Sequence, residues 1–194
     1  MAHIQVKSER LVNASPENIY AALIDYVNKR PQILTANFMD YSVEKGGHGK
    51  GTIIRYRLHA ANRERDYRLR IDEPVKGKII TEQDTNSTLV NTWTLAAANS
   101  GTRVSVITEW EGGHGVKGFF ERTFAPMGVK SIYSSVLDAL DQLVSNDSAN
   151  SANRSILKEE EKRGVSDRLG LLVLVLSSVV GVAFLISYFQ KNHA

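Results

Sequence analysis

Residues 169–189 constrain this chain more than any other stretch. They read LGLLVLVLSSVVGVAFLISYF and carry no charge. At ~1.5 Å rise per residue such a run makes a helix of roughly 31 Å, matching a bilayer hydrocarbon core of about 30 Å. Fourteen of its residues are Leu, Ile, Val or Phe. At about 0.3 to 0.6 kcal/mol each near the bilayer centre, they favour insertion by about 4 to 8 kcal/mol, less what the serines and off-centre positions subtract. A buried helix of a water-soluble domain rarely runs this long without a polar stripe, and this stretch has none. One transmembrane helix over residues 169–189 is expected, separate from the folded domain before it.

Flanking charge sets the expected orientation. Arg154, Lys158, Lys162, Arg163 and Arg168 precede the apolar block, and only Lys191 follows it. Positive residues stay on the cytoplasmic side, so the chain reads as single-pass and tail-anchored. The N-terminal part is expected in the cytoplasm, with residues 190–194 as a short tail on the far side. The opening MAHIQVKSERLV lacks the apolar stretch of a signal peptide, so export is not expected. The absence of cysteine excludes disulfides, thiolate nucleophiles and Cys-based metal sites, and fits a reducing compartment. Net charge is +3 overall, and up to Asn150 there are 18 basic against 17 acidic residues. That balance lacks the basic excess of a nucleic-acid-binding domain, so no nucleic-acid partner is expected.

Before the block lie a patterned region, residues 1–145, and a polar stretch, residues 146–168. The latter is rich in Ser, Asn, Glu and Lys, cannot bury a core, and reads as a flexible linker. Within the first region, His3 to Val12 has a strand pattern. Ser15 and Pro16 then make a helix start, with Ser as N-cap and Pro at the first helical position. Ile19, Ala22, Leu23 and Val27 give that helix one apolar face. After Pro31 the period changes to two. Strands are expected at Phe38–Glu44, Thr52–His59, Arg65–Ile71, Lys78–Glu82, Thr88–Leu95 and Arg103–Trp110, joined by short turns as in a meandering antiparallel sheet. From Gly128 to Val144 the period returns to 3.6, with Val129, Ile132, Tyr133, Val136, Leu140 and Leu143 as a wide apolar stripe. The fold class is therefore α+β: a helix-grip fold, in which a curved antiparallel sheet wraps around a long C-terminal helix, plus the separate transmembrane helix.

The opening VNASPENIYAALIDY, the strand TRVSVITEWEG and the stretch FFERTFAPMGVKSIYSSVLDALDQL resemble the START-related (SRPBCC) superfamily, and within it the polyketide cyclase/dehydrase and lipid-transport-like branch. The resemblance covers about Ile4 to Val144. It implies a hydrophobic cavity for a lipid or other apolar ligand between sheet and last helix. It does not fix an activity, because such scaffolds host transporters, sensors and enzymes, and it does not extend to the apolar block.

No nucleophile elbow, phosphate loop, dinucleotide fingerprint or HExxH pattern is present, so no catalytic residue, cofactor or metal is assigned. His48 and His114 both sit in GGHG turns, where glycine serves positive φ more readily than histidine serves a metal. The candidate site is instead the inward face. From the sheet, Tyr56, Leu58, Tyr67 and Leu69 face inward on the third and fourth strands, and Asn91 and Trp93 on the sixth. Val106, Thr108 and Trp110 join them on the seventh. From the last helix and its approach, Phe120, Phe124, Met127, Ile132 and Val136 face them. If the space between closes, these residues are core; if it stays open, they line a pocket with a few polar tips. Six arginines fall between Arg55 and Arg70, and alternation places most of them on the outer face, as an ordinary charged surface or as contacts to anionic headgroups. Ser177 and Gly181 form a small-xxx-small pair that can support helix pairing but does not define an oligomer.

The sequence thus points to a membrane-anchored module that binds or transports a hydrophobic small molecule or lipid. The partners expected are that ligand and the bilayer. The alternatives are a cyclase- or dehydratase-type enzyme acting on an apolar substrate, and a ligand-free stress or assembly factor with a closed core.

Overall fold

Strict apolar–polar alternation lets each strand bury one face and wet the other, and seven strands form in this way. The computed structural model describes residues 2–60, 63–113, 125–150 and 154. In chain order the elements are β1 (Ala2–Val12), α1 (Pro16–Ile24), α2 (Arg30–Ile33), β2 (Phe38–Lys45), β3 (Ile53–Ala60), β4 (Arg63–Val75), β5 (Ile79–Asp84), β6 (Val90–Ala98) and β7 (Gly101–Gly112). A long helix, α3, occupies residues 125–150. The strands pair antiparallel in the order β1-β7-β6-β5-β4-β3-β2. The last six strands therefore meander, and β1 closes onto β7 with Val6 opposite Thr108.

Local chemistry sets the connections. Ser15 caps α1, its hydroxyl accepting from the Asn18 amide at 3.3 Å. Register shifts in β2 between Met39 and Ser42, and in β4 between Asp72 and Val75, are bulges of the kind that bend strands. Helix α3 buries Ile132, Tyr133, Val136, Leu137, Leu140 and Val144, the spacing of one helical stripe. Polar contacts hold its outer side to β1. Arg10 pairs with Asp138 and, at 3.3 Å, with Asp141, and Ser8 donates to the Lys130 carbonyl at 3.2 Å. The fold is thus α+β with a helix-grip arrangement. Helix α3 continues six residues past Val144, so residues 146–150 are helical rather than extended linker.

The chain divides into two units, Met1–Ser148 and Ala149–Ala194, and the fold above is that of the first. The expected transmembrane helix over residues 169–189, most of the expected linker and the tail lie outside the described residues. Among the described residues no helix is long and apolar enough to cross a membrane.

Candidate functional site

One polar cluster interrupts the apolar core, and strand register builds most of it. Glu82 on β5 stands opposite Asn91 on β6, and Asn91 opposite Thr108 on β7. These three buried side chains form a row across neighbouring strands. The next inward residue on β6 is Trp93, fully buried between Ile80 and Val106. The fourth polar member, Arg30, comes from α2. The Asp25 carboxylate accepts from the amides of Val27 at 3.2 Å and Asn28 at 2.9 Å, and the Arg30 amide donates to the Asp25 carbonyl at 2.7 Å. This turn redirects the chain after α1 and sends the Arg30 side chain into the core, where the residue is 3% exposed.

Glu82 is the hub of the hydrogen bonds. Its Oε1 accepts from Arg30 Nη2 and from the Tyr26 hydroxyl at 3.1 Å. Its Oε2 accepts from Asn91 Nδ2 at 3.2 Å. Thr108 Oγ1 in turn donates to Asn91 Oδ1 at 2.8 Å. The guanidinium carbon of Arg30 lies 4.3 Å from the centre of the Trp93 ring and 5.5 Å from that of Tyr26, so two aromatic rings and a carboxylate hold the cation. Burial opposes the charge on Arg30, but the adjacent Glu82 carboxylate outweighs it and holds the guanidinium protonated. Burial, reinforced by the charge on Glu82, raises the Tyr26 phenol well above its ordinary range. Burial likewise raises Tyr41, Tyr56 and Tyr133. Every one of these phenols is neutral near pH 7.

Among the described residues, two donors in the cluster lack an acceptor: Arg30 Nη1 and Trp93 Nε1. Both residues border a cavity of ≈ 10 Å³ whose other walls are Leu34, Phe38, Tyr41, Ile54, Tyr56, Glu82, Tyr133 and Val136. That volume holds about one water molecule. At this cluster the described side chains therefore fill nearly all the space between the sheet and α3. Edge-on contacts, Phe38 to Tyr56 at 5.1 Å and Trp93 to Tyr133 at 5.8 Å between ring centres, account for the closure.

Of the residues expected on the inward face, Tyr56, Trp93 and Val136 border the cavity. Asn91 and Thr108 belong to the hydrogen-bonded row. Tyr67, Leu69, Val106 and Ile132 are buried in the surrounding core, and Leu58 and Trp110 are half-buried against it. Met127 is a correction: it is 71% exposed. It precedes Val136 by nine residues, which at about 100° per residue is half a turn away, on the opposite side of the helix. Phe120 and Phe124 lie outside the described residues.

The expected inward face omits Arg30, Glu82 and Tyr133. Glu82 shares parity with Ile80 on its strand, and a carboxylate on an apolar face needs a buried cation; that was the available signal. Tyr133 lies in the helical stripe itself. Arg30 carries no periodic signal, because a turn rather than a strand or helix face delivers it.

The first GGHG turn serves structure. Gly46, Gly47 and Gly49 have positive φ, and the loop is held against the end of α1, the Tyr26 amide donating to the Gly47 carbonyl at 2.9 Å. His48 is mostly exposed, 3.4 Å from Asp25, and among the described residues no cluster of potential metal ligands occurs. His114, in the second such turn, lies outside the described residues.

Comparison with known proteins agrees with this architecture. The KanY protein, solved in solution by NMR, is 40% identical, with a TM-score of 0.68 over 75% of this chain and 99% of its own. The protein TTHA0849 from Thermus thermophilus is 18% identical, with a TM-score of 0.65 over 75% of this chain and 99% of its own. The Zhui aromatase/cyclase from Streptomyces sp. R1128 is 12% identical, with a TM-score of 0.62 over 74% of this chain and 94% of its own; at that identity it speaks for the fold alone. No curated protein matches the chain. The family described as polyketide cyclase / dehydrase and lipid transport matches residues 3–145, and the chain belongs to it.

Proposed function

We propose that this protein is a binding module for an apolar small molecule or lipid, held between the sheet and α3 and kept at a membrane by residues 169–189. The observation that carries the reading is the pair of unpartnered buried donors, Arg30 Nη1 and Trp93 Nε1, beside the small cavity. A core built only for stability gains nothing from them, since each unmet buried donor costs about 1–3 kcal/mol. A site that receives a ligand gains orientation from them. A drug-sized ligand needs a few hundred Å³, so binding separates α3 from the sheet at Tyr133 and Val136 and selects a wider conformer. The bilayer anchor rests on the uncharged block and its flanking charges, and it places the site where apolar ligands concentrate.

A cyclase- or dehydratase-type role is the second reading, and the family description favours considering it. The site supports it less well. Glu82 is engaged by Arg30, Tyr26 and Asn91, and the phenols of Tyr56 and Tyr133 are held protonated. Among the described residues of the site this leaves no side chain free to move a proton.

Titration of residues 1–154 with the neutral dye N-phenyl-1-naphthylamine tests the binding reading. The expected result is saturable fluorescence enhancement at one dye per chain, weakened at least tenfold by Val136→Phe, which fills the cavity. Absence of saturable binding in the parent chain would support the closed-core alternative instead.

A further inference from the structure

The two edges of the sheet are built differently. At one edge, β2 is broken by register shifts between Met39 and Ser42 and between Val43 and Lys45, and Asp40 has a φ of +54°. Such irregularity keeps an edge from templating another strand. At the other edge, β1 runs 11 residues in unbroken register against β7, from Ala2 opposite Gly112 to Val12 opposite Thr102. In an antiparallel ladder, alternate residues turn their N–H and C=O away from the partner strand. Beyond that ladder, the one backbone–backbone bond to β1 among the described residues runs from the Ala14 amide to the Val12 carbonyl, at 2.9 Å. The outward-turned groups from Ile4 to Leu11 therefore have no backbone partner among the described residues. The outer face of the same strand carries His3, Gln5, Lys7, Glu9 and Leu11, all exposed.

Charge selects a partner and a register for this edge. A second copy of β1, paired antiparallel about a two-fold axis at Ser8, sets Lys7 opposite the partner's Glu9, Glu9 opposite the partner's Lys7, and Leu11 opposite the partner's Gln5. Lys7 and Glu9 already bridge along their own strand at 2.7 Å, so four charges would alternate in sign around the axis. Leu11, 49% exposed, would gain cover from the stem of the partner's Gln5. Sliding one strand by two residues, in either direction, sets Lys7 against the partner's Lys7 or Glu9 against the partner's Glu9, and like charges directly opposite destabilise a strand pair. A one-residue slide sets inner residues against outer ones. We infer that β1 is a self-association edge: two copies of this chain join through β1 in the first of these registers, merging two 7-stranded sheets into one. Gln5, Lys7, Glu9 and Leu11 do not border the cavity, so self-association stands apart from ligand binding.

The chain contains no cysteine, so introduced thiols can read the register. Gln5 and Leu11 lie about 20 Å apart on one strand, too far to bridge within a chain. The full chain carrying Gln5→Cys and Leu11→Cys together, oxidised in mild detergent, is expected to run as a covalent dimer. Either single variant should stay uncross-linked, because its thiol faces no thiol. Equal cross-linking in a single variant and the double one, or none in the double one, would overturn the pairing. Charge reversal tests the same contact without a covalent bond. Native mass spectrometry of the full chain in micelles is expected to find a dimer. Lys7→Glu alone and Glu9→Lys alone each set two like pairs at the axis and should weaken it about tenfold or more. An equimolar mixture of these two variants should recover a mixed dimer, which a merely misfolded variant would not do. A monomeric parent chain contradicts the inference, as does a dimer indifferent to Lys7→Glu, which would assign association to another surface such as residues 169–189.

Discussion

At the residue scale, the Arg30–Glu82 pair concentrates the chemistry of the core. Both side chains are almost wholly buried, so removing one leaves the other charged and uncompensated. Arg30→Met alone, or Glu82→Leu alone, is expected to cost about 3–5 kcal/mol, and the double change less than either single one. Denaturant titration of the full chain in mild detergent, as a double-mutant cycle, checks this; additive losses would contradict the coupling. The buried phenols predict a second behaviour. Burial raises Tyr26, Tyr56 and Tyr133 above 10.0, their ordinary value, so the folded state holds their protons more tightly than the unfolded chain. Their contribution to stability is then complete below about pH 10 and is lost as pH rises beyond it. Of the seven tyrosines, these three should ionise only as the protein unfolds, which phenolate absorbance at 295 nm followed alongside circular dichroism would show. Ionisation of all seven before loss of the fold would contradict the burial.

At the element scale, turns decide where strands begin and which groups they deliver. Gly101 opens β7 with a φ of +130, and a Cβ there would meet the Val12 carbonyl and lie 3.2 Å from the Asn13 Cα. Backbone on both sides cannot give way cheaply. Gly77, in the turn between β4 and β5, has a φ of +80 with open space around it. Gly77→Ala therefore carries only the left-handed penalty of about 1–2 kcal/mol. Gly101→Ala adds a backbone collision, and its loss should exceed that of Gly77→Ala by about 2 kcal/mol or more. Thermal unfolding of the two variants makes the comparison, and equal losses would contradict the close approach of β7 to the end of β1. The same scale explains what was legible. The strands and the stripe of α3 were readable because period two and period 3.6 each repeat over several residues, and Ser15-Pro16 marked the start of α1 by its chemistry. The apolar part of the inward face followed from parity alone. Arg30 escaped because the hydrogen bonds of Asp25 fix its direction, and a turn has no period. The ring contacts at the cluster escaped too, since alternation says which face a ring occupies but not whether rings such as Trp93 and Tyr133 meet edge to face.

At the scale of the whole molecule, the chain carries, beyond its grip domain, an apolar segment that the family match over residues 3–145 does not reach. If residues 169–189 span a bilayer, the full chain should stay with membranes through alkaline carbonate extraction, whereas a chain ending at Arg168 should be released. Release of both would remove the anchor and leave the domain's binding role standing. The central claim is that the space between α3 and the sheet accepts an apolar guest. Native mass spectrometry of the full chain released from lipid nanodiscs tests it most directly. The account predicts a species heavier than the bare chain by one small apolar molecule, restored after stripping by incubation with a total lipid extract and lost in Val136→Phe. A chain that leaves the membrane at its bare mass and stays bare after that incubation would contradict it.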